Sequence, residues 1–305
     1  MKPIIKCTQI NKKFGSVKAL RDVNMTVYEN DIYGLVGPNG SGKSTILKLI
    51  AHWIRPDRGS IELFDYSNNE SYKALEKMGF LIEEPVFYDY LTGKDNIKYL
   101  GKIKNIKPDL AMEIVREFRI DDQMKKKVKT YSTGYRKSLG LAVAMMNRPN
   151  ILVLDEPVNG LDPERIVDLR NLLLKINREW NTTIVLSSHL LNELSLIATR
   201  YGFIKNGVLL EEISQEELLD KSRQFIEIHL EPDDLKKTIV LLEEYFNMNE
   251  YRILPKGELR IYESLNVLDI QKLLIKHEIY TLSIKNKNSS LEDYYLNLLG
   301  GKAHD

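Results

Sequence analysis

Gly37-Pro38-Asn39-Gly40-Ser41-Gly42-Lys43-Ser44-Thr45 is the stretch that decides how the rest of the chain reads. It matches G-x-x-x-x-G-K-[ST] in full, a pattern that arises in about one random chain of this length in a hundred. Glycines at these places let the backbone fold into a concave nest of N–H donors around phosphate oxygens. A helix beginning there adds its unpaired first-turn N–H groups and the positive end of its dipole. In such a loop Lys43 reaches the β- and γ-phosphates and the Ser44 hydroxyl ligates Mg²⁺. The flanks suit it. Ile32 to Val36 is a short apolar run that stops at Gly37, as a buried strand entering a turn does. After Lys43, residues Ile46, Leu49, Ile50, Trp53 and Ile54 fall at helical spacing, until Pro56-Asp57-Arg58-Gly59 ends the pattern with turn chemistry.

Working outward, Ile151 to Leu154 is continuously apolar, as in a central parallel strand covered on both faces. It ends in Asp155-Glu156. A carboxylate at such a strand end holds Mg²⁺, often through water, and the next carboxylate can polarise an attacking water as general base. An Asp-Glu pair ending a strand is ordinarily a solvated cap; a phosphate loop upstream reverses those odds. A helix follows from about Pro163, then a β-branched strand from Thr182 to Leu186 that leads to His189. A neutral imidazole at that strand end could hydrogen-bond phosphate and water together. Ile4–Ile10 and Val23–Val27 read as further strands, and Asn206-Gly207 between apolar pairs signals a hairpin. Strand, helix and strand in alternation predict an α/β core with a parallel sheet.

Two stretches have a different texture. Two helices broken near Pro108 are expected between Thr92 and Ile120, and a third from Tyr135 to Met146, so residues 84–147 form a helical insertion. Beyond residue 220 the expected order is strand 225–230, helix 233–246, strands near 251–254 and 258–262, helix 266–279 and strand 280–284. That β-α-β-β-α-β order is the ferredoxin-like one. A short last helix follows, for which Ser290 and Asp293 resemble a capping box.

Composition removes other classes. With 44 Lys and Arg against 43 Asp and Glu, the formal charge is +1, giving no overall pull toward nucleic acid. A single cysteine, Cys7, excludes an internal disulfide framework and fits a reducing compartment. Neither a signal peptide nor an apolar run of spanning length is read, so a cytoplasmic protein is expected.

Together these motifs resemble the ATP-binding subunit of an ATP-binding cassette (ABC) transporter over about residues 4–220. The resemblance implies ATP and Mg²⁺ as ligands at Gly37 to Thr45, with Ser44, Asp155 and Glu83 around the metal and Glu156 and His189 as the catalytic pair. Phe14 sits where that family stacks an aromatic ring on adenine. Ser132-Thr133-Gly134-Tyr135 falls at its signature motif, with Thr133 in place of the first glycine and Tyr135 in place of the glutamine. Asn159-Gly160-Leu161-Asp162 looks like its D-loop, and Glu83 stands where it usually carries glutamine. Glu83-Glu84-Pro85-Val86-Phe87-Tyr88 and the Tyr-Ser-x-Gly signature look like the bacitracin and lantibiotic (antimicrobial peptide) export subunits.

The fold so implied is an α/β P-loop NTPase cassette at 1–220, a mixed-sheet core with a helical subdomain at 84–147, plus a small α+β ferredoxin-like domain at 221–305. The family's mechanism implies a homodimer, or a heterodimer with a similar cassette, in which the signature of one subunit meets the ATP of the other. Separate transmembrane permease subunits would receive the motion, placing the chain on the inner face of the cell membrane. Two alternatives stand beside this reading. One is a nucleotide-binding regulatory or immunity subunit with little turnover; the other is a cassette ATPase that serves no transporter.

Overall fold

A computed structural model describes residues 2–66, 71–221, 224–254, 257–288 and 291–299. The chain divides into two compact units, Met1–Gln215 and Glu216–Asp305.

The first unit opens with strands β1 (Pro3–Phe14) and β2 (Val17–Tyr28), then β3 (Ile32–Val36) and helix α1 (Lys43–Ile50). Strand β4 (Arg58–Leu63), the short α2 (Ser71–Leu75) and β5 (Met78–Leu81) come next. The helical insertion supplies α3 (Gly93–Ile103), α4 (Pro108–Glu117) and α5 (Thr133–Met145). The core resumes with β6 (Ile151–Asp155), α6 (Pro163–Trp180), β7 (Thr183–Ser188), α7 (Leu191–Ser195) and the hairpin β8 (Arg200–Lys205) and β9 (Val208–Ser214).

Six strands lie in the order β5-β6-β7-β3-β8-β9, parallel from β5 to β8 and antiparallel at the β9 edge. Every residue of β3, β6 and β7 is buried, which is why their middles are continuous apolar runs rather than alternating ones, with polar residues only at strand ends such as Asp155, Thr183, Ser187 and Ser188. A separate antiparallel sheet, β2-β1-β4, alternates instead. Its inward residues Ile5, Cys7, Ile10, Val23, Met25 and Val27 share one core with Leu47 and Ile50 of α1 and with Val153. Helix α1 contacts β6 on one side and β2 and β4 on the other, so the loop before it is held from two sheets. Burial pushes the Cys7 thiol up to about 12, so this cysteine behaves as a small apolar core residue.

Helix α1 ends at Ile50 with Ala51 as its cap, one turn short of the expected Ile54. His52 takes a left-handed conformation at φ 55° and Trp53 is 55% exposed, because the chain is already turning toward Pro56. In the insertion, α3, α4 and α5 pack on one another and α5 lies on β5. The Thr92 hydroxyl accepts from the Asp95 N–H and caps α3, a contact worth about 1 kcal/mol. Fully buried Asn96 pins the preceding loop by bonding both backbone groups of Tyr88 and the Thr92 carbonyl.

Helix α8 (Gln215–Lys221) begins at the last residue of the first unit, and the second unit continues with β10 (Gln224–His229), α9 (Pro232–Phe246), β11 (Tyr251–Leu254), β12 (Glu258–Ile261), α10 (Val267–Lys276), β13 (Ser283–Asn288) and α11 (Leu291–Leu298). Its four strands pair antiparallel in the order β11-β12-β10-β13. One sheet face, Ile226, Ile228, Leu259 and Ile261, packs on Ile239 and Leu242 of α9 and Ile270 and Leu274 of α10. The last strand lies three residues later than the expected 280–284. Its sequence, Ser-Ile-Lys-Asn-Lys-Asn, is too polar to stand out, whereas Tyr280 and Leu282 before it are exposed. Ser290 of the expected capping box lies outside the described residues.

The opposite face of that sheet carries charge. Buried Glu227 is ringed by Lys287, by Arg260 Nη2 at 3.4 Å and by His229 Nε2 at 3.2 Å, while Arg260 Nε also reaches Glu258 at 2.8 Å. Burial alone would push the Glu227 carboxyl up. The hydrogen bonds from Lys287 and His229, with the Lys287 charge, overcome it and hold the group down at about 2. Among the described residues no helix is long and apolar enough to cross a membrane.

Candidate functional site

The site lies beyond the carboxyl ends of the parallel strands, where open α/β sheets bind ligands. Strand β3 delivers the loop Gly37 to Gly42 and α1 follows. Gly42 sits at φ 112° as the N-cap of α1 with no side-chain cap, so the first-turn N–H groups keep their capacity for a ligand. A Cβ at Gly42 would lie 2.8 Å from Leu20 and 2.9 Å from the Ala19 carbonyl, so only glycine fits this approach. The loop is braced from behind by the β8–β9 hairpin. Asn206 and Gly207 both have positive φ, at 50° and 77°, and the Gly207 N–H donates to the Ser41 carbonyl at 2.8 Å.

A cavity of about 510 Å³ opens on this loop. Asn39, Gly40, Gly42, Lys43, Ser44 and Thr45 form one wall, and Glu156 faces them. Lys43 is nearly fully buried; its Nζ donates to the Gly37 carbonyl at 2.7 Å and lies 3.4 Å from Glu156 Oε1. His189 Nδ1 lies 2.8 Å from Glu156 Oε2, and Asn159 Nδ2 donates to the same oxygen at 3.3 Å. Glu156 itself takes a left-handed backbone at φ 46°, which aims its side chain off the end of β6. Asp155, one residue back, is buried and accepts from the Ser187 hydroxyl at 2.5 Å. Thus the Lys43 cation and the Glu156 carboxylate, from segments far apart in the chain, meet at one cavity, with the His189 imidazole bonded to that carboxylate and the buried Asp155 one residue behind it.

The donor set fits a magnesium-bound triphosphate. The buried Ser41 hydroxyl has no hydrogen-bond partner, the helix start is uncapped, and Ser44 and Asp155 offer hard oxygen ligands. The ABC transporter family model matches residues 20–159. Over 304 residues the chain is 36% identical to the bacitracin transport ATP-binding protein BcrA of Bacillus licheniformis, covering 99% of each.

The chain belongs to the ATP-binding proteins of ABC transporters.

It is 35% identical to the lantibiotic transport ATP-binding protein SrtF of Streptococcus pyogenes over 209 residues, 68% of this chain and 90% of that protein. Among solved structures it resembles the dimeric ATP-binding cassette MJ0796 in a post-hydrolysis state with ADP and Pi. That likeness has a TM-score of 0.64 and 25% identity, covering 70% of this chain and 99% of that one. The first unit is therefore an ABC ATPase cassette.

Other expected residues of the cassette lie apart from the cavity. Phe14 is 49% exposed at the end of β1, opposite Val17, which does line the cavity; Lys12 Nζ sits 5.6 Å from its ring centroid. Glu83, at φ 64°, pairs with Lys48 of α1, and that ammonium offsets its charge. Ser132 caps α5 by accepting from the Tyr135 N–H at 3.3 Å, and Thr133, Gly134 and Tyr135 open the helix. Asp162 caps α6, its Oδ1 accepting from the Arg165 N–H at 2.9 Å.

Arg165 and Lys137 stand outside every motif, and the D-loop marks Asn159 without giving it a partner. Arg165 stacks on the Tyr135 ring at 4.0 Å and lies 3.4 Å from Asp162 Oδ2. Asn159 bonds the Glu156 side chain directly. Lys137, buried in α5, donates to the Glu156 carbonyl at 2.7 Å and to the Asn159 carbonyl at 2.9 Å. Burial pushes its ammonium below the usual lysine value, against the pull of Glu84, Glu156 and Asp155. The available signal was a lysine heading the apolar run Leu139 to Met146, where a buried charge must find partners.

Proposed function

We propose that this chain hydrolyses ATP between two copies of itself to drive export of an amphiphilic peptide antibiotic, or a molecule of that kind, through separate membrane subunits. The observation that carries it is the Lys43–Glu156–His189 convergence on the phosphate-loop cavity, in a chain that matches a bacitracin transport ATP-binding protein from end to end. Lys43 meets the β- and γ-phosphates in place of the Glu156 carboxylate it now touches, which frees that carboxylate for water. Glu156 takes the proton as the water oxygen attacks the γ-phosphorus, and ADP leaves. His189 holds Glu156 in place. Bound Mg²⁺ would be held by Ser44 and Asp155 and would neutralise charge on the phosphates, whereas Glu83 would join it only by leaving Lys48.

The signature residues Ser132 to Tyr135 face the partner's nucleotide, so ATP joins the two copies and its hydrolysis releases them. The aromatic group Tyr88, Tyr90 and Tyr99, with Val86 at 91% exposure, offers the membrane subunits an apolar landing face on the helical insertion. On this reading the chain works at the cytoplasmic face of the membrane. The deciding experiment is Glu156→Gln. ATP binding should persist, turnover should fall by about a thousandfold or more, and a stable ATP-dependent dimer should appear by light scattering. A variant that hydrolyses at the wild-type rate removes Glu156 as the base.

A further inference from the structure

Lys137 is the one described side chain of α5 that reaches both carbonyls flanking the catalytic turn. It lies five residues after Ser132, on the same helix whose first turn is the signature. Its Nζ holds the Glu156 carbonyl at 2.7 Å and the Asn159 carbonyl at 2.9 Å, and Asn159 in turn holds the Glu156 carboxylate at 3.3 Å. Glu156 has a left-handed backbone, so the direction of its side chain depends on whatever fixes its peptide groups. The Ser187 hydroxyl fixes the N–H side at 2.9 Å; Lys137 fixes the carbonyl side. The nearby Tyr135–Arg165 stack also ties α5 to the α6 entrance, through Asp162, but it does not touch Glu156.

We propose that Lys137 is a positioning residue that couples the two ATP sites of the dimer. This rests on the reading that the signature of one copy contacts the nucleotide of the other. The first turn of α5 then senses ATP in the partner's site, while Lys137, roughly 7 Å further along the helix axis, sets the Glu156 of its own site. A helix is stiff over that length, so a shift of its start on engaging nucleotide is passed to the Glu156 carbonyl. Coupling of this kind is reciprocal, and it appears as cooperativity in ATP. Lysine chemistry suits such a link, because three ammonium protons on a flexible stem can follow two carbonyls through a small displacement.

The test uses the full-length chain with Mg²⁺ and ATP, comparing Lys137→Met, Lys137→Gln and Lys137→Arg with wild type. For Met and Gln, kcat should fall at least tenfold while ATP affinity stays within twofold. The Hill coefficient for ATP should drop from above one to one, and Arg should restore most of kcat and the cooperativity. Met or Gln variants that keep the wild-type kcat and Hill coefficient overturn the proposal. So does an Arg variant as impaired as Met, with all the losses tracking melting temperature. A wild-type chain that never hydrolyses ATP sinks the ATPase reading instead. Coupling is then read from ATP-driven dimerisation, whose steepness Lys137→Met should flatten if the link exists and leave unchanged if it does not.

Discussion

The two units treat buried charge in opposite ways. In the cassette, Lys43 and Glu156 line a cavity and lie 3.4 Å apart, and His189 reaches Glu156 from beside it. These contacts are exchangeable: a triphosphate offers Lys43 a stronger anion than a carboxylate does. In the second unit, Glu227 is enclosed by Lys287, Arg260 and His229 within one sheet. Among the described residues its Glu-His-Glu geometry with Glu258 has the spacing of a metal site, yet the two cations already balance the carboxylates. A satisfied charge cluster stabilises its own domain, and a cluster that opens on a cavity binds. The same residue types therefore serve folding in one unit and chemistry in the other.

The sharpest way to break this contrast is Lys43→Ala. Losing its charge-assisted bonds should weaken ATP binding about a hundredfold by calorimetry, with the melting temperature of the ligand-free chain nearly unchanged. A large drop in melting temperature without loss of affinity would make Lys43 structural and erase the distinction. Glu227→Gln should do the reverse, lowering stability by on the order of 2 kcal/mol while leaving ATP affinity alone. The sign with pH follows from the depressed carboxyl. The contribution is fully present above the ordinary value of 4.5 and is lost as pH falls toward about 2. Wild type and Glu227→Gln should thus differ in urea midpoint at pH 7 and converge on acidification; a constant gap would show that the charge is not the cause. The smallest effect is expected from Phe14→Ala. Loss of base stacking should weaken ATP and GTP alike, by roughly five- to tenfold, since every base presents a π-face. Unaltered affinity would take Phe14 out of the site.

Much of the fold is legible in the sequence because its signals are local. Gly37 to Thr45 states its own conformation through glycine placement, Asn206-Gly207 states its turn, and the runs 32–36 and 151–154 state burial on two sides. What the sequence conceals involves balance against distant neighbours. The end of α1 is set by the turn toward Pro56, and β13 is a strand because β10 supplies a register from Ser283–His229 to Asn288–Gln224, not because its residues favour one. Strands β4 and β5 are hidden for the same reason: each is short and is stabilised by pairing with β1 or β6.

The sequence by itself determined the phosphate-binding loop, the carboxylate pair 155–156, the histidine after β7 and the change of texture beyond residue 220, since each rests on neighbours in the chain. Only the tertiary structure decided that Lys43, His189 and Asn159 meet at Glu156, and that Lys137 reaches under the turn from another helix. Residues as far apart along the chain as Lys43 and Lys137 acquire a common partner through strand order and helix packing. No local pattern encodes that distance, because side-chain convergence is a property of the packed core and not of any one segment.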